Sequence, residues 1–297
     1  MELGNRTAIV TGAGRGLGRS HALALARLGA RVVVNDMSAE NATSVAQEIE
    51  VVGGKALAFG GSVTDPARMG EMVAAATKVF GSVDILVNNA GILRDKTFAK
   101  MDLDDFRLVV ETHLMGSVIC TKAVWDIMRD QGYGRIVMTT SSSGLYGNFG
   151  QSNYSAAKMA LVGLMQTLAI EGRKYDIRVN CLAPTAATQM TEGVLSPDAM
   201  RDLSPDFVSE GLLALVGADA PTRAILCAGA GHFARANITL TKGIHIGSGE
   251  GAAHRVVDAW ERIGDRTGET VPENCFAQSE QELAGAGENA PAAGAKP

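Results

Sequence analysis

Short apolar runs alternate with amphipathic stretches along most of the chain. Thr7–Thr11 has a strand pattern, and a helical pattern follows through Leu28. Arg31–Asn35 predicts a second strand that ends at Asp36. The alternation then continues as helix 41–52, strand 56–59, helix 66–80 and strand 83–87. A long helical stretch, 102–129, precedes strand 135–140 and helix 152–171. Strand 178–182, helix 205–216 and strand 224–228 complete the series. Strands alternating with helices imply a parallel doubly wound sheet with right-handed crossovers. The expected fold is therefore α/β: a single Rossmann-type doubly wound parallel sheet of about seven strands, helices on both faces, plus a C-terminal extension. The expected boundaries are 1–230 for the domain, 231–264 for an extension packed on it, and 265–297 for a flexible or partner-ordered tail. Within the extension, Asn237–Thr241 alternates like an added strand, and 252–263 like a short helix. The stretch from Thr185 to about Leu203 is irregular, which suits a substrate loop.

Composition changes this picture little. Of 297 residues, 46% are hydrophobic, enough for a substantial core. Net charge is −5 with no basic run, which argues against a nucleic-acid partner. The four cysteines, Cys120, Cys181, Cys227 and Cys275, show no paired spacing, so neither disulfides nor zinc is expected. No signal peptide and no apolar run of bilayer length is read, so the cytoplasm is the expected location, without membrane attachment.

Two stretches carry candidate chemistry. The first is Gly12-Ala-Gly-Arg15-Gly16-Leu17-Gly18, between a strand and a helix, with Asp36 at the end of the next strand. Such glycines let a backbone approach a pyrophosphate, and the helix N-terminus offers free N–H groups. Asp36 is placed to accept both ribose hydroxyls and to repel a 2′-phosphate, which favours NAD over NADP; Arg15 leans the other way. The second stretch runs from Ser141 to Lys158. Tyr154 and Lys158 share one helix face, one turn apart. An ammonium beside a phenol favours the phenolate, so Tyr154 is expected to be acidified and to exchange a proton with a substrate oxygen. Ser141, ending the preceding strand, is in reach of the same oxygen. Asn88-Asn89-Ala90-Gly91 closes another strand, where such sheets bind ligands.

With Thr11-Gly-x-x-x-Gly-x-Gly18, Asn88-Asn-Ala-Gly91, Ser141 and Tyr154-x-x-x-Lys158 in order, the chain resembles the short-chain dehydrogenase/reductase family over about residues 3–230. The resemblance implies that Tyr154 is the acid/base, that Lys158 lowers its pKa and holds the nicotinamide ribose, and that Ser141 orients the substrate oxygen. It places Gly12, Gly16, Gly18, Asn89, Ala90 and Gly91 beside the cofactor, with Ser62 and Val63 near the adenine. It also places Pro184 and Thr188 near the carboxamide. The family's fourth catalytic residue is an asparagine; the register set by Gly116 puts His113 there. The segments around Thr112–Ser117, Gly134–Thr139, Ser143–Gln151 and Leu168–Gly172 resemble the (3R)-hydroxyacyl-CoA dehydrogenase domain of multifunctional type 2 enzymes and their bacterial relatives. That implies NAD-dependent oxidation of a 3-hydroxyacyl-CoA by a homodimer or homotetramer. Two rivals stand beside it: a hydroxysteroid or other secondary-alcohol dehydrogenase acting without CoA, and a cofactor-binding subunit without catalysis.

Overall fold

In the computed structural model, residues 2–187 and 202–288 are described. Eight strands form one sheet in the order β3-β2-β1-β4-β5-β6-β7-β8. They are β1 (Thr7–Val10), β2 (Arg31–Asp36), β3 (Lys55–Gly60), β4 (Ile85–Asn88), β5 (Gly134–Thr139), β6 (Ile177–Pro184), β7 (Ile225–Gly229) and β8 (His232–Ala236). The first seven pair in parallel, and β8 is antiparallel to β7. The order reverses between β1 and β4, the point at which open α/β sheets form a crevice.

Helices follow the strands: α1 (Gly16–Arg27), α2 (Ala39–Val51), α3 (Pro66–Phe80), α4 (Leu103–Val110), α5 (Gly116–Gln131), α6 (Ser142–Tyr146), α7 (Ser152–Gly172) and α8 (Pro205–Val216). Their starts are written locally. Ser38 caps α2, and Asp65 with Pro66 starts α3; Ser204 with Pro205 starts α8. Strands buried on both faces explain the near-continuous Val, Ile and Leu runs. One face packs Ala22 and Leu25 of α1, Val45 of α2 and Leu212 of α8. The other packs Met69 and Met72 of α3, Val124 of α5, and Leu161 and Met165 of α7. Leu161 and Met165 thus belong to the core face of α7, and Leu168 packs against the same cluster.

The sheet ends differently from the sequence expectation. Ala230 and Gly231 both have positive φ, 49° and 72°, and Gly229 pairs with His232. This two-residue turn has the handedness of a tight hairpin, so the return strand starts at once. The added strand is His232–Ala236, not Asn237–Thr241, and of the latter only Leu240 makes a bridge, to Thr270.

Chain contacts separate two units, Met1–Ala236 and Asn237–Pro297. In the second, helices α9 (Ala252–Asp258), α10 (Trp260–Ile263) and α11 (Phe276–Glu288) form, the last in a stretch where the sequence suggests no element. Among the described residues, no helix is long and apolar enough to cross a membrane.

Candidate active site

The glycine turn is built by contacts that only glycine tolerates. Gly12 has φ +61°, and a Cβ there would lie 2.8 Å from Ala90 Cα. A Cβ on Gly18 would lie 2.2 Å from the Gly12 carbonyl oxygen. Gly16 also has positive φ and opens α1, whose first turn carries no side-chain cap. Arg15 precedes it in extended conformation, and Leu17 packs against the core. Asp36 accepts from the N–H of Gly14 at 3.0 Å and of Ser38 at 3.0 Å, which pins its carboxylate beside the turn.

Asn89 turns its side chain toward the backbone of the glycine turn. Its amide donates to the carbonyls of Thr11 at 2.9 Å and Gly12 at 3.1 Å. The Thr11 hydroxyl accepts from the N–H groups of Asn89 and Ala90. The side chain of Asn89 therefore fastens β4 to the glycine turn. Asn88 donates to Thr121 in the interior. Ser62 and Thr64 share a hydroxyl hydrogen bond of 2.9 Å in the turn before α3. Val63 is buried and seated where a Cβ on Gly116 would be 2.6 Å away. Pro184 ends β6 opposite Ala228. Thr188 lies outside the described residues, as does most of the expected substrate loop.

The second cluster lies at the carboxyl ends of β4 and β5. Ser141 is buried and caps α6, its Oγ accepting from Ser143 N–H at 3.2 Å. Tyr154 sits in the first turn of α7, half-buried. Lys158 is 3% exposed and donates to the Thr139 carbonyl at 2.5 Å; its Nζ lies 5.5 Å from the Tyr154 ring centre. Thr140 donates to the Lys158 carbonyl at 2.7 Å. The His113 ring meets Tyr154 edge to face, with centroids 5.2 Å apart. His113 itself lies in a π-helical turn, Glu111–Met115, inserted between α4 and α5, in what the sequence suggests is one regular helix.

The electrostatics correct one expectation. Burial raises the Tyr154 phenol above its ordinary value, and Asp95 adds to the rise, while a hydrogen bond with Ser141 works against it. Burial also pushes Lys158 down to about 7. The net direction for Tyr154 is thus opposite to the expected acidification. An ammonium half-discharged by its own desolvation is a weak partner for a buried phenol. His113 is pushed down to about 3, first by burial and then by Lys158, so its imidazole is neutral at physiological pH.

Thr139 and Thr140 are the supporting residues that the motifs leave out. The signal available for Thr139 and Thr140 is a hydroxyl pair ending a strand that faces the lysine helix.

A glycine-rich strand-to-helix turn joined to a serine, tyrosine and lysine cluster defines a nucleotide-dependent oxidoreductase site. The profile of the family described as "short chain dehydrogenase" matches residues 6–198, and the chain belongs to that family. It is 42% identical over 284 residues to the peroxisomal multifunctional enzyme type 2 of Drosophila melanogaster, covering 88% of this chain and 45% of the other. The full-length structure of that enzyme aligns with a TM-score of 0.82 at 34% identity, over 97% of this chain and 50% of that one. The chain therefore spans about half the length of that relative. A short chain dehydrogenase from Mycobacterium avium aligns with a TM-score of 0.79 at 35% identity, over 89% and 97% of the two chains. A 7α-hydroxysteroid dehydrogenase complexed with NADH and 7-oxo glycochenodeoxycholic acid aligns at 0.72 and 31% identity, over 77% and 95%.

Proposed function

We propose that this oxidoreductase uses NAD to oxidise a (3R)-3-hydroxyacyl-CoA, fatty acyl or steroid side chain, to the 3-ketoacyl-CoA, as a homodimer or homotetramer. The observation that carries the reading is the tyrosine cluster: Tyr154 in the first turn of α7, buried Ser141 at the end of the preceding strand, and Lys158 Nζ 5.5 Å from the phenol ring centre, at the carboxyl ends of the strands. The resemblance to the (3R)-hydroxyacyl-CoA dehydrogenase domain of multifunctional type 2 enzymes, with 42% identity to one such enzyme, supports the CoA ester as substrate.

The residues present fit a dinucleotide. Gly12 and Gly18 admit no side chain, and the first turn of α1 carries no side-chain cap, which leaves room and donors for a pyrophosphate. Asp36 retains acceptor capacity for ribose hydroxyls beyond its two backbone bonds, and its charge disfavours a 2′-phosphate. A bound nicotinamide supplies the two-electron redox chemistry.

The protein's part is orientation and proton handling. Ser141 hydrogen-bonds the reacting oxygen and holds it at the phenol. Tyr154 takes the hydroxyl proton in oxidation, as phenolate, and returns it in the reverse direction, as phenol. Raised by burial, the phenol is protonated in the free enzyme at neutral pH, so oxidation gains from alkaline conditions. Lys158 is anchored on the Thr139 carbonyl with its Nζ 5.5 Å from the phenol ring centre, and in its protonated fraction it favours the phenolate.

The test is NADH formation across a panel of 3-hydroxyacyl-CoA esters, with both stereoisomers, both cofactors and free hydroxysteroids. Tyr154→Phe should lower turnover by about 10²–10⁴-fold with NAD binding nearly unchanged. Retention of most activity in that variant removes the assignment. The steroid-bound relative motivates a second reading, in which activity falls on the free hydroxysteroids and not on CoA esters.

A further inference from the structure

We propose that Ser20, His21, Ser209 and Asp206 form a hydrogen-bonded bolt between α1 and α8, and that these four are positioning residues for the substrate side of the site. The proposal rests on the reading that the reaction takes place at Tyr154. Three of the four side chains are sealed from solvent: His21 is 0% exposed, Ser209 1% and Ser20 6%. Asp206 is exposed, in the first turn of α8. Ser20 Oγ lies 2.8 Å from Asp206 Oδ1 and 2.7 Å from Ser209 Oγ. Ser209 Oγ lies 2.8 Å from His21 Nδ1.

The protons of this chain have one consistent arrangement. A carboxylate only accepts, so the Ser20 hydroxyl donates to Asp206. With that proton placed, Ser209 donates to Ser20, and His21 Nδ1–H donates to Ser209. The Pro205 carbonyl competes for the Ser209 proton but lies farther away, at 3.2 Å. Choosing it would leave the 2.7 Å contact between the two serines without a proton. His21 is therefore the Nδ1–H tautomer, and Nε2 is a bare lone pair, buried and without a partner among the described residues. Burial pushes the ring down to about 3, so the imidazole is neutral at physiological pH.

Around the chain the interface is apolar: Ala24 and Leu25 of α1 share one buried cluster with Val208 and Leu212 of α8. Apolar surfaces can slide over one another, whereas a buried hydrogen-bond chain has one register and is expensive to leave unmade. What is registered follows from the flanking residues. Ahead of Ser20 lies the uncapped first turn of α1, beside the glycine turn. Ahead of Asp206, Ser204 caps α8, and the Leu203 carbonyl accepts from the Ala187 N–H at 2.7 Å. Ala187 follows β6, where the Leu182 carbonyl accepts from the Thr140 N–H at 2.8 Å, next to the Thr139 carbonyl that holds Lys158. The bolt thus ties the Ala187–Leu203 pair, at the carboxyl edge of the sheet that carries the tyrosine cluster, to the helix that opens at the glycine turn.

Ser20→Ala should raise the KM for the alcohol that the substrate panel identifies about 5- to 20-fold, with kcat and the KM for NAD moving less than about threefold. Asp206→Asn keeps a partner for Ser20 and should stay near the wild type. Asp206→Ala, at the exposed end of the chain, should reproduce the Ser20→Ala effect without disturbing buried packing. The double variant Ser20→Ala/Asp206→Ala should do no worse than Ser20→Ala, because links in series are lost together. A lower melting temperature with both KM values unchanged overturns the proposal, since the bolt then serves stability alone. Equal rises in both KM values overturn it as well.

Two readouts need no substrate. In Ser20→Ala the Ala187 amide should exchange with deuterium at least about tenfold faster than in the wild type, and unchanged exchange sinks the link between the helices and the Ala187–Leu203 pair. Nitrogen-15 NMR of the histidines should show His21 protonated on Nδ1 and bare on Nε2; the opposite tautomer breaks the chain of donors and with it the proposal. Should Tyr154→Phe remain active, the reading of the reaction fails instead, and the Ala187 exchange still decides whether the bolt exists.

Discussion

The glycine turn and the tyrosine cluster sit side by side, yet they satisfy their polar groups in opposite ways. At the turn, Thr11, Asp36 and Asn89 spend their hydrogen bonds on the neighbouring backbone. The backbone shape is thereby made independent of what it binds. At the tyrosine end, His113 Nδ1, Thr139 Oγ1, Ser152 Oγ and Ser155 Oγ are buried with no partner among the described residues. Lys158 is held by a single carbonyl at the cost of most of its basicity. Shifted ionisation and unmatched polar atoms are tolerated where they serve chemistry. On the proposed function one region holds the cofactor and the other reacts, so their variants should fail differently.

The largest expected effect separates activity from folding. Lys158→Met should cut turnover by about 10³-fold, within the range of acid–base contributions. At pH 7 its melting temperature should not fall, since the variant removes a desolvated cation. A melting temperature several degrees lower would mean that the lysine serves the fold, and the contrast between the regions would be lost.

Next, Gly18→Ala should damage binding. A methyl group 2.2 Å from the Gly12 carbonyl forces the turn open. Overpacking of this kind costs roughly 1–3 kcal/mol, equivalent to about 10- to 100-fold in NAD affinity by titration calorimetry. An unchanged affinity would show that the turn does not meet the dinucleotide.

The smallest effect is a pH dependence of stability. Folded Lys158 loses its proton near pH 7, whereas a free lysine does so at 10.5. Between those values the unfolded chain binds the additional proton. Raising the pH across this window therefore stabilises the wild type relative to Lys158→Met, by at most about 1.4 kcal/mol per pH unit. Below pH 7 the burial cost is present in full and the difference levels off. Thermal melts of both proteins at pH 6, 7, 8 and 9 measure it. Parallel curves would place the lysine pKa near its ordinary value.

Much of this could be read from residues alone, for reasons that differ by element. The strands are visible because full burial writes unbroken apolar runs, as in Val32–Val34 and Ile85–Val87. The glycine turn is visible because Gly12 and Gly18 answer a steric demand that no other residue meets. Helix starts at Asp65–Pro66 and Ser204–Pro205 are local chemistry. The misplaced last strand arose because alternation in Asn237–Thr241 outweighed the turn chemistry of Ala230-Gly231. The direction of the tyrosine shift was illegible since spacing places Lys158 near Tyr154 without saying how dry the site is. The partners of Asn89 and His113 come from distant segments, and no local pattern encodes them.

The π turn at Glu111–Met115 adds one residue to a helix that otherwise runs from Leu103 to Gln131. Losing that surplus residue would let the turn relax to a plain α-turn, with the flanking helices kept in register and the bulge that carries His113 gone. The local widening of this helix is thus made by one amino acid of chain length.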